Sequence, residues 1–235
     1  MTQSSLWRLD EHRAQLNLGQ FAAVVDIAQP GRGLHDVALR GAAMTPWNLL
    51  AVQFTGQDSQ QTQTVSDCFV RGRDLVVTYA QAFELPVRLQ IYWRALGEAD
   101  APGCLAAFEV QVSVQTSLLD AWPEVVIRSR LQAPCAVRHD SQADGTPASS
   151  WLCRLPTVGL TYGEMAHPAD VAREELVTAD TGTTEIAHHL FSQPLEKGVI
   201  LRARARGVFV SLDDDVRAIE AACDRFLAAP LPLTT

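Results

Sequence analysis

Two neighbouring segments carry the residues best suited to chemistry. In 87–94, Arg88, Gln90, Tyr92 and Arg94 alternate with Val87, Leu89, Ile91 and Trp93. In 108–115, Glu109, Gln111, Ser113 and Gln115 alternate with Phe108, Val110, Val112 and Val114. Strict alternation sends one set into a core and the other to the opposite face. If the segments pair, that face shows two arginines, a tyrosine, amides and a hydroxyl, and one carboxylate. Planar amides, guanidinium forks and an aromatic ring are what a sugar's hydroxyls and C–H faces require. An ordinary solvated sheet face, with Arg and Glu paired across strands, is the competing reading.

A second group lies at 202–206, where Arg202, Arg204 and Arg206 share one strand face. Successive members are about 6–7 Å apart. Three like charges need carboxylates on a neighbouring strand or a bound anion such as an acidic or phosphorylated sugar. Glu196 precedes this strand and could act as a base if desolvated. The six histidines are His12, His35, His139, His167, His188 and His189. A strand would send His188 and His189 to opposite faces, and no H-x-x-x-H or H-E-x-x-H spacing supports a metal site. The sequence contains no G-x-S-x-G elbow, phosphate-binding P-loop or G-x-G-x-x-G fingerprint. Gly31-Arg32-Gly33 reads as a turn.

The elements that must position these residues are mostly strands. Short apolar runs occur at 21–27, 34–39, 49–54, 125–131, 151–155 and 199–210, and 69–77 reads as two strands turning at Gly72. Gly97, Pro102 and Gly103 in the 96–104 connection suit an antiparallel hairpin between the alternating segments. A helix is expected over 213–229, with Val216, Ile219, Cys223, Phe226 and Leu227 on one stripe and Pro230 and Pro232 ending it. It should cover a sheet edge or end. A short helix is expected near 10–16, and surface loops at 56–63 and 139–150. The expected fold is all-β, a two-sheet antiparallel sandwich with a C-terminal α-helix, forming one domain over 1–235.

The 235 residues are 47% hydrophobic and 20% charged, which suits a globular protein with a sizeable core. With 19 basic and 27 acidic residues the net charge is −8, a poor match for nucleic acid or anionic membranes. Lys197 is the single lysine; arginine supplies the other basic residues. The 5 cysteines are widely spaced with no C-x-x-C pair, so reduced thiols and a cytoplasmic location are expected. No apolar stretch is long enough for a membrane span.

The Tyr92-Trp93-Arg94 strand, the 110–118 run and 191–199 with its Glu196 give the chain a texture that resembles the galactose-mutarotase-like supersandwich superfamily. That resemblance implies a large antiparallel sandwich binding sugars in a concave sheet face. In the catalytic members a His acid and a Glu base interconvert anomers without a cofactor, and arginines hold the sugar. Carried onto this sequence, Arg71 or Arg94 would hold the sugar, His139 or His167 would be the acid and Glu196 the base. Arg88, Gln90, Tyr92, Glu109, Gln111, Arg202 and Arg204 complete the expected binding surface. The expected function is carbohydrate binding, with an aldose 1-epimerase-like activity as its enzymatic form and a saccharide or sugar phosphate as ligand. The alternative is a non-enzymatic scaffold whose long alternating strands could pair between subunits in a homo-oligomer.

Overall fold

A computed structural model describes residues 6–54, 56–82, 87–134, 136–143, 146–191 and 193–230. The chain opens with β1 (Trp7–Leu9), β2 (Arg13–Leu18), β3 (Phe21–Asp26), β4 (His35–Leu39) and β5 (Ala42–Met44), which form one sheet in that order. There follow β6 (Asn48–Phe54), β7 (Val65–Arg71), β8 (Asp74–Tyr79), β9 (Arg88–Ala95), β10 (Ala106–Gln115), β11 (Asp120–Ala121) and β12 (Val125–Gln132). The rest is β13 (Ala136–Ala143), β14 (Thr146–Leu155), β15 (Leu160–Ala166), β16 (Val171–Thr178), β17 (Thr183–Leu190), β18 (Leu195–Glu196), β19 (Ile200–Ser211) and α1 (Asp215–Ala228). An eight-stranded sheet has the order β13-β14-β15-β19-β10-β9-β8-β7, and a four-stranded sheet the order β16-β17-β12-β6. β11 and β18 make a separate pair.

The all-β sandwich expected from the sequence is what forms. The apolar sides of β9, β10 and β19 (Trp93, Val110, Val112, Ala203 and Ala205 among them) enter one core with residues of the five- and four-stranded sheets. Phe21 stacks on Phe108 at 5.0 Å, tying the five-stranded sheet to the eight-stranded one. A bridge between Leu34 and Leu49 joins the five- and four-stranded sheets into one layer. β9 and β10 pair antiparallel from Phe108 opposite Ala95 to Gln115 opposite Arg88, the hairpin that the alternation and the 96–104 turn residues imply. The turn at Gly72 joins β7 to β8.

Three expectations are corrected. The segment 10–16 is not a helix. It enters β2, where Ala14 and Leu16 are buried and Arg13 and Gln15 exposed, a period of two. The segment 139–150 is not a loop. It belongs to the β13–β14 pair, in which His139 faces Ser150. Its polar composition is that of an edge hairpin, with β13 outermost in the sheet. The C-terminal helix covers a sheet face rather than an edge or end. Ile219, Ala222, Cys223 and Phe226 pack on Leu152, Met165, Val208 and Val210. Gly163 permits this approach, because a Cβ there would lie 2.9 Å from the Ile219 side chain. The helix begins two residues later than the Asp run suggests, after a short 3-10 turn in which Ser211 accepts from the Asp213 amide.

Among the described residues no helix is long and apolar enough to cross a membrane. Cys153 and Cys223 are buried, and Cys68 and Cys104 are half-buried free thiols. Cys135 lies outside the described residues.

Candidate functional site

The outer face of the eight-stranded sheet carries the residues singled out from the sequence. Antiparallel register places Arg71, Asp74, Arg94, Glu109, Arg206, Met165, Ser150 and His139 in one row across all eight strands. From Asp74 to Arg206 the charges alternate in sign. Arg94 Nε donates to Asp74 Oδ1 at 3.0 Å, and Arg94 Nη1 lies 3.9 Å from Glu109 Oε1. Arg206 donates through Nε and Nη2 to Glu109 Oε2 at 3.1 and 2.8 Å. Glu109 and Arg206 are both buried. The row is thus a self-neutralising ladder, the cross-strand pairing that competes with a ligand surface.

The next row holds Val76, Tyr92, Gln111 and Arg204. Arg204 is not free for a sugar. It donates to the carbonyls of Ala229 at 2.8 Å and Pro230 at 3.4 Å, and its guanidinium sits 4.7 Å from the Phe226 ring centroid. A cation at a helix C-terminus satisfies carbonyls that have no partner within the helix. Tyr92 donates to Gln90 Oε1, and Gln90 donates to Thr78 Oγ1. Burial pushes the Tyr92 phenol up, against the pull of Arg71 and Arg202. Arg202 and Gln90 flank Ser113 in a third row, and Arg88 lies opposite Gln115 at the strand ends. Gln111 is buried, and among the described residues neither of its amide atoms has a hydrogen-bond partner.

The expected acid and base candidates stand in separate surroundings. His139 Nε2 is 2.6 Å from Glu220 Oε1 of α1. His167 follows β15, edge-on to Phe226, where burial lowers its pKa and Asp170 partly offsets that. Glu196 is exposed on β18, opposite Asp120. Among the described residues no hydrogen bond or ion pair joins any two of these three.

A better-formed concavity lies on the other layer. On the outer face of the four-stranded sheet a pocket of 340 Å³ is lined by Asn48, Gln53, Gln57, Gln60, Arg128, Arg130 and Glu185, with Gly31, Ala51 and Ser59. β12 supplies the two arginines, and Glu185 of β17 lies directly opposite Arg130. Arg128 Nη1 pairs with Glu185 Oε1, while Arg128 Nε is buried with no hydrogen-bond partner among the described residues. Among the lining residues, two guanidinium groups against one carboxylate leave one positive charge in excess, while Glu175 of β16 also acts on Arg128 from outside the pocket. The Gln53 and Asn48 amides donate to the carbonyls of Gly31 and Arg32, leaving their own carbonyl oxygens as acceptors.

A β-bulge shapes this wall. Arg128 pairs with Ala51 and Arg130 with Asn48, so Leu49 and Leu50 together oppose Ser129. Leu50 has φ 49°, a left-handed conformation costing an L-residue about 1–2 kcal/mol. Its N–H, displaced from the ladder, donates to Ser129 Oγ at 2.8 Å. Gly33 packs on the bulge so closely that a Cβ would lie 2.4 Å from the Leu49 carbonyl oxygen.

Behind the bulge runs a buried polar chain. Ser129 Oγ is 3.5 Å from Tyr162 Oη, and Tyr162 donates to Glu164 Oε2 at 2.5 Å. His188 lies between two carboxylates, with Nε2 3.1 Å from Glu164 Oε1 and Nδ1 2.9 Å from Glu174 Oε1. Burial alone would lower the pKa of His188, but the hydrogen bonds and charges of Glu164 and Glu174 raise it to about 9. Burial pushes Glu174 up, and the His188, Ser149 and Arg138 contacts outweigh it, holding Glu174 below the usual carboxylate range.

Sequence reasoning missed Arg128, Arg130 and Glu185. The available signal was two outward-alternating stretches, Arg128-Ser129-Arg130 and Thr183-Thr184-Glu185, together with the glutamine-rich 53–63 segment.

No family profile matches this sequence, and neither does any curated protein. Solved structures do match. A protein from Escherichia coli K12 provisionally named an aldose 1-epimerase superposes with a TM-score of 0.56 at 7% identity, over 84% of this chain and 98% of that one. A galactose mutarotase-like protein from Clostridium acetobutylicum gives 0.54 at 7% identity, over 87% and 98%. At such identity the likeness is one of fold, and it covers nearly the whole of both neighbours. The chain has the galactose-mutarotase-like supersandwich fold that its strand texture resembles.

Proposed function

We propose that this chain is a carbohydrate-binding protein whose saccharide site is the pocket between β6, β12 and β17. One observation carries the reading: a concavity lined by amides, two arginines and a carboxylate, with the buried Arg128 Nε still lacking an acceptor. Amide carbonyls and guanidinium N–H groups match the donors and acceptors of sugar hydroxyls. The excess positive charge favours a saccharide bearing a carboxylate over a neutral one. The fold neighbours, one provisionally named an aldose 1-epimerase and one described as galactose mutarotase-like, support a sugar-related reading of the architecture.

Binding is favoured over anomer interconversion. Mutarotation needs a base for the anomeric hydroxyl and an acid for the ring oxygen. Glu185 can accept a proton, but the other charged lining groups are arginines, which hold their protons at neutral pH.

A thermal-shift titration with D-glucuronate, D-glucose and glucose 6-phosphate tests the proposal. A ligand at 100 times its Kd adds about 2.7 kcal/mol, several degrees for a chain of this size. Stabilisation by D-glucuronate that Arg130→Ala abolishes is the expected result. No shift with any of the three, or a shift that Arg130→Ala leaves intact, overturns the assignment. Polarimetry on any sugar that binds reports whether anomers interconvert.

A further inference from the structure

Ser129 sits between the two pocket arginines in sequence and points to the opposite side of the sheet, into the buried chain. Hydrogen-bond accounting gives that chain a direction. The Tyr162 hydroxyl donates to Glu164, so its oxygen must accept the Ser129 proton, and Ser129 in turn accepts from the Leu50 amide. At the far end both ring nitrogens of His188 face carboxylate oxygens. A carboxylate offers no proton, so both nitrogens must donate, which only the imidazolium can do.

We infer that the chain Ser129–Tyr162–Glu164–His188–Glu174 positions the guanidinium groups of Arg128 and Arg130, so that saccharide affinity in the pocket follows the charge on His188. The ligand half of this inference rests on the function proposed above; the positioning half does not. The groups facing His188 are Glu164 of β15 and Glu174 of β16. Tyr162 of β15 lies behind Glu164, and Arg138 of β13 is 3.9 Å from Glu174. His189 and Glu185, on its own strand, face outward, and Glu185 belongs to the pocket. Loss of the imidazolium proton leaves one buried carboxylate facing a lone pair. Glu164 then shifts off Tyr162, the freed Tyr162 hydroxyl turns its proton toward Ser129 Oγ, and there it competes with the Leu50 amide for the same oxygen. The bulge that spaces Arg128 from Arg130 loosens in consequence. The residues of the chain are positioning residues, because none of them lines the pocket.

The test follows the Cζ carbon resonances of Arg128 and Arg130 in the full chain from pH 7 to 10, with circular dichroism confirming the fold at each point. Arginine itself does not titrate in this range. Both resonances should move with a midpoint near pH 9, where His188 loses its proton. The Kd for D-glucuronate should rise at least threefold over the same interval. Tyr162→Phe cuts the chain while keeping its ring, and should flatten both responses. If that variant fails to fold, Ser129→Ala cuts the chain at its other end and must give the same flattening. Resonances that stay still in the folded wild type, or that titrate identically in the cut variant, overturn the inference. Resonances that titrate as expected in a protein that binds no D-glucuronate uphold the positioning chain and remove the saccharide reading instead.

Discussion

The outer faces of the two layers use the same residue types to different ends. On the eight-stranded sheet, Asp74, Arg94, Glu109 and Arg206 stand one per strand, and each charge meets its opposite across the ladder. On the four-stranded sheet, Arg128 takes the Glu185 carboxylate and Arg130 has no ion pair among the described residues, and the bulge and the 56–60 turn form a concavity around them. A polar composition therefore does not define a site. Register decides whether charges cancel, and irregularity decides whether there is room for a ligand.

The largest expected effect comes from breaking the ladder. Removing one partner of a buried pair costs about 3–5 kcal/mol, because the other charge stays buried alone. Arg206→Ala should destabilise by the lower part of that range in urea unfolding, since Arg94 remains near Glu109. Replacing both partners, Arg206→Met with Glu109→Leu, should restore most of the loss. A single variant within 0.5 kcal/mol of wild type would show that the pair is not structural.

The buried histidine is next. Its pKa is raised from 6.5 to about 9 in the folded chain. The stabilisation is therefore complete below pH 6.5, declines as pH rises from there toward 9, and is gone above it. The loss is on the order of 3 kcal/mol. Denaturation midpoints between pH 6 and 10 should fall along this course in the wild type. A flat profile would mean that His188 is neutral in the fold.

Why one region was legible in the sequence and the other was not has a physical cause. The β9–β10 hairpin joins neighbouring segments, and strict alternation together with turn residues specifies its register locally. Arg94 and Glu109 fall into one row for that reason, Arg71 joins it through the β7–β8 turn, and Arg206 through the period of two in β19. The pocket is assembled from β6, β12 and β17, whose contacting residues are separated by scores of positions. Nothing local announces such a meeting. Its bulge depends on Leu50 adopting a left-handed conformation that a leucine does not advertise. The glutamine-rich 56–63 segment reads as a surface loop, but its role as a pocket wall depends on what it packs against. The 10–16 segment does not declare its period in the sequence, because Ala14 and Leu16 are its only apolar residues, too few to tell a helix from a strand.

Gln111 supplies a smaller effect on the ladder face. A buried polar group without a partner costs about 1–3 kcal/mol. Gln111→Leu should raise the unfolding free energy by about 1 kcal/mol, a few degrees in Tm. A lower Tm would show that the amide has a bonded partner in solution.

The smallest expected change in stability belongs to the pocket, and it completes the contrast. Arg130 is exposed on β12, and among the described residues it makes no ion pair. Exposed substitutions away from buried features change stability by about 0.5 kcal/mol or less. Arg130→Ala should therefore unfold at nearly the wild-type temperature while losing tenfold or more in affinity for D-glucuronate. Arg206→Ala should do the reverse, lowering stability strongly while leaving affinity in the remaining folded fraction nearly intact. If the ladder face, rather than the four-stranded sheet, holds the ligand, the loss of affinity moves from Arg130→Ala to Arg206→Ala. Isothermal titration beside thermal unfolding of both variants separates these cases, because charges that cancel within the fold can be removed only at the expense of the fold, whereas the charge left in excess is removed only at the expense of the ligand.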